Sequence, residues 1–353
     1  MLTTHDKKNG FDGLRLFAAW LVLLNHSYPL TGSKDTDFIT QLLKIDTSGG
    51  LAVCIFFSIS GYLVGKSLIE SKNIFEFLKR RFFRVYPALS VVVILSVFVL
   101  GPIISTLSIN EYFLSSKTWL YLKTMSAFNI KYDLPMVFIN NPAPGVNGSL
   151  WSLSIELKCY VLLAIIGVIP IPLRIKAIFM LFYFTLAFLI RPQVNQDNIS
   201  LNLLGLNYYF SKYGMIFFIG VFISSFFKNL NNRIWLAVGC ISTIGFIYSI
   251  IFPNDKFSPL IYCYSLAITT IWTGSVMPFI SVFSRKYGDV SYGVYLYAFP
   301  IQQLLTHFNI YNNGIVIYIG LATLITFGLA IASWHWVEKP CLSLKYRKFI
   351  NSK

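Results

Sequence analysis

The sequence predicts an all-α integral membrane protein, a polytopic bundle of about ten transmembrane helices with both termini in the cytoplasm. Of its 353 residues, 56% are hydrophobic and only 12% are charged, whereas soluble domains carry about 25% charged residues. The apolar residues are grouped into runs of about 20, the length that an α-helix needs to cross a bilayer. These observations exclude a soluble globule, a disordered chain and a coiled coil.

Ten apolar segments are long enough to be transmembrane helices, and no internal repeat or separate soluble region is visible between them. The first segment is too polar at its start to be a removable signal peptide, and it lacks a small-residue cleavage site. We therefore expect residues 1–353 to form a single transmembrane domain. The predicted segments are 13–31, 51–69, 85–105, 151–170, 174–191, 204–226, 233–252, 259–283, 289–308 and 314–337.

Two regions lie outside these segments. The longest connection, residues 106–150, contains Pro135, Pro142 and Pro144 and is predicted to be the longest extracytoplasmic loop. Residues 338–353 are predicted to be a basic cytoplasmic tail.

The basic residues predict the orientation of the chain, which has a net charge of +15 from 29 Lys and Arg against 14 Asp and Glu. With a cytoplasmic N-terminus, the inner segments hold 20 of these cations and the outer ones 7, and Lys158 and Lys212 lie within spans. Cytoplasmic loops of membrane proteins are enriched in Lys and Arg. Topology thus explains the charge, and no nucleic-acid partner is expected. The five cysteines have no paired spacing, so neither a disulfide framework nor a metal site is predicted.

The first predicted span carries Arg15 and His26, 11 residues apart. An ionisable residue within a span costs at least ~2.5–3.5 kcal/mol, which suggests a functional reason. Helix geometry places both side chains on one face, about 16–17 Å apart along the axis, with His26 toward the outer side. The structural alternatives are a neutral imidazole hydrogen-bonded between helices and an arginine that anchors the helix at the cytoplasmic face.

Glu156 is a carboxylate within the fourth span, which begins near Trp151. This position predicts a depth about a turn and a half below the outer surface, similar to that of His26. An imidazole and a carboxylate at one depth can pair, as in general-base and nucleophilic catalysis. A structural ion pair between Glu156 and Lys158 is the alternative.

A basic run, residues 79–84, precedes the third span. Arg81 and Arg84 lie three residues apart on one predicted helix face, where two guanidinium groups can bind phosphate oxygens. Anionic lipid head groups are an equally suitable ligand.

The second span contains the small residues Ser58, Ser60 and Gly61. Small residues let another helix or a ligand approach the backbone closely, and plain helix packing is the simpler interpretation.

Six sequence motifs follow one another along the chain. They are residues 11–15 (FDGLR) with His26, 56–63 (FFSISGYL), 81–87 (RFFRVYP), 149–156 (SLWSLSIE), 291–296 (SYGVYL) and 336–340 (WVEKP). Together they resemble the bacterial membrane acyltransferase type 3 family, and the resemblance runs from Phe11 to about Leu344.

The resemblance implies a membrane O-acyltransferase in the bacterial plasma membrane. Such an enzyme moves an acyl group, usually acetyl, from cytoplasmic acyl-CoA to a hydroxyl of a cell-surface carbohydrate or its lipid-linked precursor. The implied partners are acyl-CoA (acetyl-CoA) as donor, the glycan acceptor and membrane lipids, with no metal.

The family's motifs also imply roles for individual residues. His26 would be catalytic, either as general base or as a nucleophile that forms an acyl-imidazole, and Glu156 would hold and stabilise it. Arg15, Arg81 and Arg84 would bind the donor phosphates. Ser60, Trp151 and Tyr295 would position the substrates.

This chain departs from the family pattern near Pro300. Many members have His two residues before that proline, whereas this sequence has Ala298. Either that His is dispensable or Tyr297 covers its role, so no catalytic residue is assigned there. Because the sequence stops shortly after the last motif, we also expect a stand-alone member without the periplasmic SGNH-type domain found in many relatives.

A transporter or flippase of lipid-linked sugars is the alternative function. It would share the many spans, the inner cations and the polar residues within the membrane. It requires no reactive histidine, and the inverted repeats that would favour it are not visible in the sequence.

Overall fold

The computed structural model describes residues 9–190, 207–226 and 231–347, and these ranges contain helices and no β-strand. Within them, ten helices have 17 or more residues, and each overlaps one of the ten predicted segments. The largest difference is at the third helix, which begins at Ile74 because the basic run is helical. The ten are α1 (Phe11–Leu30), α2 (Ser48–Glu70), α3 (Ile74–Leu95), α4 (Trp151–Val168), α5 (Leu173–Ile190), α6 (Tyr208–Phe226), α7 (Asn232–Ile251), α8 (Ser258–Val276), α9 (Ser291–His307) and α10 (Ile315–Ser333).

Two of these helices continue through a short π-helical segment, in which the helix is wider. α3 extends through Ser96–Leu100 to Ile104, and α10 extends through Trp334–Glu338 into a helix at Lys339–Arg347. The predicted basic tail therefore begins as a continuation of α10.

Seven helices in the described ranges are long and apolar enough to cross a membrane, and α8 with its bent continuation Pro278–Tyr287 makes up to eight. The chain is therefore a multi-pass membrane protein. α1 and α9 are not among these helices: α9 has only 17 residues, and α1 carries Arg15 and His26. The count of ten spans and the side of each terminus stay predictions.

The helices cluster into two compact units. The first unit comprises the described residues of Met1–Arg15, Leu42–Leu78 and Lys158–Val282. The second comprises Leu16–Gln41, Lys79–Leu157 and Phe283–Lys353.

In the first unit, α6 is the central helix and packs against α2, α5 and α8. α2 and α6 cross closely at two glycines. A Cβ atom on Gly61 would clash with the backbone of Phe217, and one on Gly220 would clash with that of Tyr62. Gly61 of the second span is therefore used for helix packing.

The first unit also contains a buried ion pair. Lys212 on α6 donates a hydrogen bond to Asp46, which precedes α2, at 2.7 Å. The ammonium also lies 5.4 Å from the ring centre of Tyr213 and 5.9 Å from that of Tyr262. A lysine within a span is tolerated here because a carboxylate and two aromatic faces surround it.

In the second unit, α9 packs against α10 and against the chain that leads into α4. Leu23 of α1, Ala298 of α9 and Ala322 of α10 form a fully buried apolar cluster. α1 also accepts a hydrogen bond from α9, since Gln302 donates to the carbonyl of Leu23 and to the hydroxyl of Ser27, both at 2.8 Å.

The first part of the predicted outer loop is helical rather than irregular. Short helices occupy Ile109–Leu114 and Ser116–Tyr121, and a tighter turn occupies Leu122–Ser126. Ser108 and Glu111 form a capping box at the first of them. The hydrogen bonds from Ser108 hold the pKa of the Glu111 carboxyl below its usual value.

Candidate active site

α1 runs unbroken from Phe11 to Leu30 and carries both Arg15 and His26. His26 is half-buried. Its Nδ1 atom is shielded from solvent and makes no hydrogen bond of normal geometry within the described ranges. A histidine ring that is partly accessible to solvent, with one nitrogen shielded, can present its other nitrogen to a substrate.

Phe299 of α9 fixes the surroundings of the imidazole. Its ring meets that of His26 edge to face, with ring centres 5.2 Å apart. On another side it packs on Gly148, where a Cβ atom would lie 2.7 Å from the Phe299 ring. A glycine at 148 therefore lets Phe299 pack between the start of α4 and His26.

The chain before α4, residues 141–150, lies along α9 and is held by side-chain hydrogen bonds. Asn141 donates to the carbonyl (3.0 Å) and to the side chain (2.7 Å) of Gln303, which in turn donates to the carbonyls of Ala143 (2.7 Å) and Gly145 (2.6 Å). Asn147 donates to the carbonyl of Leu296 at 2.9 Å. As this 141–150 segment proceeds, its partners step back along α9 from residue 303 to residue 296, a distance of about 10 Å along the axis.

Tyr295 completes this arrangement at the first turn of α4. Its hydroxyl donates to the carbonyl of Ser149 and lies 2.9 Å from the hydroxyl of Ser152. α4 therefore begins beside the first turns of α9 rather than beside its last residues. Trp151, the first residue of α4, is half-buried next to these contacts.

Glu156 is half-buried and acts electrostatically on Tyr292 and Tyr295, and the ring of His26 packs against that of Phe299. A pairing of Glu156 with His26 at one depth stays a prediction.

The alternative partner named for Glu156 is Lys158, which is exposed. Two residues apart on a helix, their side chains point to different faces.

Arg84 lies in a charged cluster beside the start of α9. It donates a hydrogen bond to Asp289 at 2.6 Å, and its guanidinium lies 5.8 Å from the ring centre of Tyr292. Tyr292 donates to the carbonyl of Val85, the next residue on α3, at 3.0 Å. Arg81 is half-buried one turn earlier on α3.

Glu338 is a buried acid close to the same cluster. It is 3% exposed, accepts a hydrogen bond from Ser333 at 3.3 Å, and acts electrostatically on Tyr292. From the sequence, no role is predicted for Asp289 or Glu338. An acid directly after the last apolar segment was the signal that could have singled out Glu338.

Two further predicted site residues lie in the first unit. Arg15 is 3.9 Å from Asp12 on the same turn of α1. Ser60 is buried on α2, and its hydroxyl lies 2.9 Å from that of Tyr160 on α4.

Ala298 takes the place of the histidine that many family members have. It is fully buried between Leu23 and Ala322, so the position belongs to the apolar core. Tyr297, the residue beside it, is also buried and lies near Ser333.

Comparisons with known proteins agree with the sequence motifs. A profile described as an acyltransferase domain matches residues 8–335. The chain belongs to this acyltransferase family. Its sequence is 32% identical over 351 residues to the O-acetyl transferase of Shigella phage Sf6, which covers 96% of this chain and 97% of the relative.

Two shorter similarities point to the same family. Nodulation protein 10 of Rhizobium leguminosarum bv. viciae is 31% identical over 166 residues, 44% of this chain and 43% of the relative. Acyltransferase MdmB of Streptomyces mycarofaciens is 37% identical over 75 residues, 21% of this chain and 19% of the relative. No solved structure matches the chain. The multi-pass helical protein is thus a membrane acyltransferase.

Proposed function

We propose that the protein is an O-acyltransferase that moves an acyl group, in the first instance acetyl, from acyl-CoA to a hydroxyl of a cell-surface carbohydrate or of its lipid-linked precursor. The observation that carries this proposal is a half-buried histidine on α1, within a chain that resembles an O-acetyl transferase over nearly its whole length. The acyl-CoA donor follows from the family resemblance.

In the proposed reaction, His26 takes the proton of the acceptor hydroxyl while the hydroxyl oxygen attacks the thioester carbonyl. The carbon–sulfur bond breaks, and the leaving thiolate of CoA recovers the proton from the imidazolium. Attack by His26 itself, with an acyl-imidazole as intermediate, uses the same residue and gives the same products.

The donor phosphates are proposed to bind Arg15, Arg81 and Arg84 through charge-assisted hydrogen bonds. Along α1, Arg15 and His26 are separated by about 16–17 Å, a length similar to that of the pantetheine arm. Phosphates bound near Arg15 would therefore present the thioester at His26. Arg84 binds Asp289 in the structure, so a donor phosphate would share the guanidinium with that carboxylate.

Glu156 is proposed as the second ionisable group of the site. It acts electrostatically on Tyr292 and Tyr295, and its negative charge is proposed to hold and stabilise a protonated or acylated His26. Tyr295 and Trp151 are proposed to position the start of α4, and Ser60 to position the pantetheine arm or the acceptor.

The basic residues favour an orientation with both termini in the cytoplasm, where acyl-CoA is found. In that orientation, α1 and α9 together with the eight other long helices make ten spans in the plasma membrane of a bacterium. The side of the membrane on which each of two positions lies can be tested by placing single cysteines at residue 9 and at residue 310 and labelling them with a reagent that does not cross the membrane.

Acetyl transfer can be measured on the purified protein in liposomes, supplied with labelled acetyl-CoA and glycan extracted from cells that lack the gene. The expected result is label on the glycan that hydroxylamine releases as an O-ester, lost in His26→Ala. A flippase would move lipid-linked sugar without consuming acetyl-CoA, and that result would contradict the proposal.

A further inference from the structure

α1 has two features close to His26 that weaken its own hydrogen bonding. Pro29 lies inside the helix, three residues after His26, and a proline has no N–H to donate to the carbonyl four residues earlier. Ser27 turns its hydroxyl back to the carbonyl of Leu23 at 2.9 Å, an arrangement that often bends a helix. The turn around His26 is therefore fixed less firmly by α1 itself than the earlier turns are.

Gln302 of α9 holds the same turn from outside α1. Its side-chain amide donates to the carbonyl of Leu23 and to the hydroxyl of Ser27, both at 2.8 Å. These acceptors lie three residues before His26 and one residue after it. Gln302 and Ser27 are fully buried, and a hydrogen bond is electrostatically stronger in such surroundings than in water.

The ring of His26 is held by the same stretch of α9. Phe299 lies three residues before Gln302, on the same helix face, and its ring centre is 5.2 Å from that of the imidazole. Gln302 thus contacts the backbone turn, while Phe299 contacts the ring. α10 fixes this stretch in turn, because the hydroxyl of Tyr318 donates to the carbonyl of Gln302 at 2.9 Å.

The amide oxygen of Gln302 indicates that stability alone does not explain a glutamine here. Its Oε1 atom is shielded from solvent and has no hydrogen-bond partner among the described residues. A buried acceptor without a partner destabilises a fold, and such a group calls for another explanation. Methionine would fill a similar volume without that oxygen. The hydroxyl of Ser27 and the carbonyl of Leu23 would still bond to each other.

From this geometry we propose that Gln302 is a positioning residue, which fixes the turn of α1 that carries His26 and so holds the imidazole in the orientation that acyl transfer requires. Gln302 acts through the backbone of α1 and takes no part in the chemistry. This role rests on the proposed catalytic role of His26. A misplacement of about 1 Å at a reacting group can lower a rate by about 10²-fold, so the contact matters more for turnover than for stability.

The test compares Q302M, S27A and the double variant Q302M/S27A in the full-length protein purified in detergent. Y112F is the matched control. It removes a hydrogen bond of 3.0 Å between the hydroxyl of Tyr112, a fully buried side chain of the same unit, and the carbonyl of Val97.

Four quantities are measured for each variant: the Tm, kcat per folded molecule, the KM for acetyl-CoA, and the rate at which diethyl pyrocarbonate modifies His26. Peptide mass spectrometry gives that rate relative to the rate at His307 of the same sample. Modification does not require acyl transfer. If the wild type transfers no acyl group, the proposed function fails, and the modification rates still decide whether Gln302 positions His26.

Q302M is expected to keep or raise the Tm, to lower kcat by about tenfold or more, and to leave the KM for acetyl-CoA unchanged. The modification rate of His26 should rise, because a ring held less firmly exposes its shielded nitrogen. S27A should show smaller changes in kcat and in the modification rate, in the same directions, because the carbonyl of Leu23 still accepts from Gln302. The double variant should match Q302M, since both residues act through one contact. Y112F should lower the Tm alone.

A lower Tm in Q302M with unchanged kcat and unchanged modification of His26 would overturn the proposal and leave Gln302 a purely structural role. Independent, additive losses of kcat in the double variant would also overturn it. If Q302M fails to fold, S27A decides the question. A wild-type kcat and modification rate in S27A would then contradict the proposal.

Discussion

The hydroxyl of Tyr295 lies 2.9 Å from that of Ser152, and it donates to the carbonyl of Ser149. One side chain of α9 therefore fixes the first turn of α4, the helix that carries Glu156. Through this contact the position of Glu156 depends on α9.

Tyr295→Phe should lower both stability and turnover. The change removes two buried hydrogen bonds, and a buried carbonyl left without its donor costs about 1–3 kcal/mol. Glu156 should then be held less firmly, and kcat should fall several-fold. Tm and kcat are measured on the same purified sample. Tyr264→Phe is the matched control, since Tyr264 pairs with the hydroxyl of Thr185 at 2.6 Å in the other unit. An equal loss of kcat in the control would show a general effect of destabilisation.

Gly148→Ala should reduce turnover without weakening donor binding. The added Cβ would lie 2.7 Å from the ring of Phe299, closer than van der Waals contact, so the ring must move and its contact with His26 must change. We expect kcat to fall and the KM for acetyl-CoA to stay unchanged. Gly320→Ala is the control, because nothing lies within 4 Å of its Cβ position. Normal kcat in Gly148→Ala would separate Phe299 from the reaction.

The long helices could be predicted from the sequence because apolar runs of sufficient length have few other stable structures in a bilayer. All ten predicted segments overlap long helices. The course of the 141–150 segment could not be predicted in this way. It depends on hydrogen bonds such as Asn141 to Gln303 and Asn147 to Leu296, which join residues far apart in sequence and follow no periodic pattern.

Part of the candidate site could be predicted from ionisable residues within spans. Arg15, His26 and Glu156 stood out for that reason, and Lys212 was counted within a span, since buried polar groups require partners. Their partners were not predictable, because proximity across the fold leaves no local signal. Asp46, the partner of Lys212, precedes its helix, and Asp289, the partner of Arg84, precedes another. Gln302 and Gln303 were an available signal, because two adjacent amides in an apolar helix need hydrogen-bond partners.

Arg84→Ala should raise the KM for acetyl-CoA more than it changes the KM for the acceptor. Arg15→Ala should have the same effect. Removing Arg84 also leaves Asp289 without its ion-pair partner, so a lower Tm is expected in that variant alone. Arg84→Ala combined with Asp289→Asn should recover the Tm but not the donor KM. Unchanged donor KM in both single variants would assign these arginines to topology or to lipid binding.

His26→Ala should abolish acyl transfer while leaving yield and Tm nearly unchanged. General-base catalysis contributes at least ~10²-fold, and nucleophilic catalysis requires the imidazole itself. His307→Ala is the control, since His307 lies at the end of α9 with its ring 5.9 Å from that of Phe138. Turnover is measured per folded molecule by single-turnover kinetics. More than about a tenth of wild-type activity in His26→Ala would contradict a catalytic role.

Glu156→Gln tests how closely the Glu156 carboxylate acts on His26. At about 10 Å and an effective dielectric constant of about 20, two unit charges interact by about 1.7 kcal/mol, equivalent to about one pH unit. At about 4 Å the interaction would be about 4 kcal/mol, equivalent to about three pH units. Glu156 favours the protonated imidazole, so its removal should move the acid limb of the kcat–pH profile to lower pH.

We expect a lower maximal kcat and a shift of at least about one pH unit. A shift of about three units would mean that Glu156 contacts His26 during the reaction. An unmoved profile at normal turnover would remove Glu156 from the site. Lys158→Gln is the control, because Lys158 is an exposed ionisable residue on the same helix. The profile of that variant should coincide with that of the wild type.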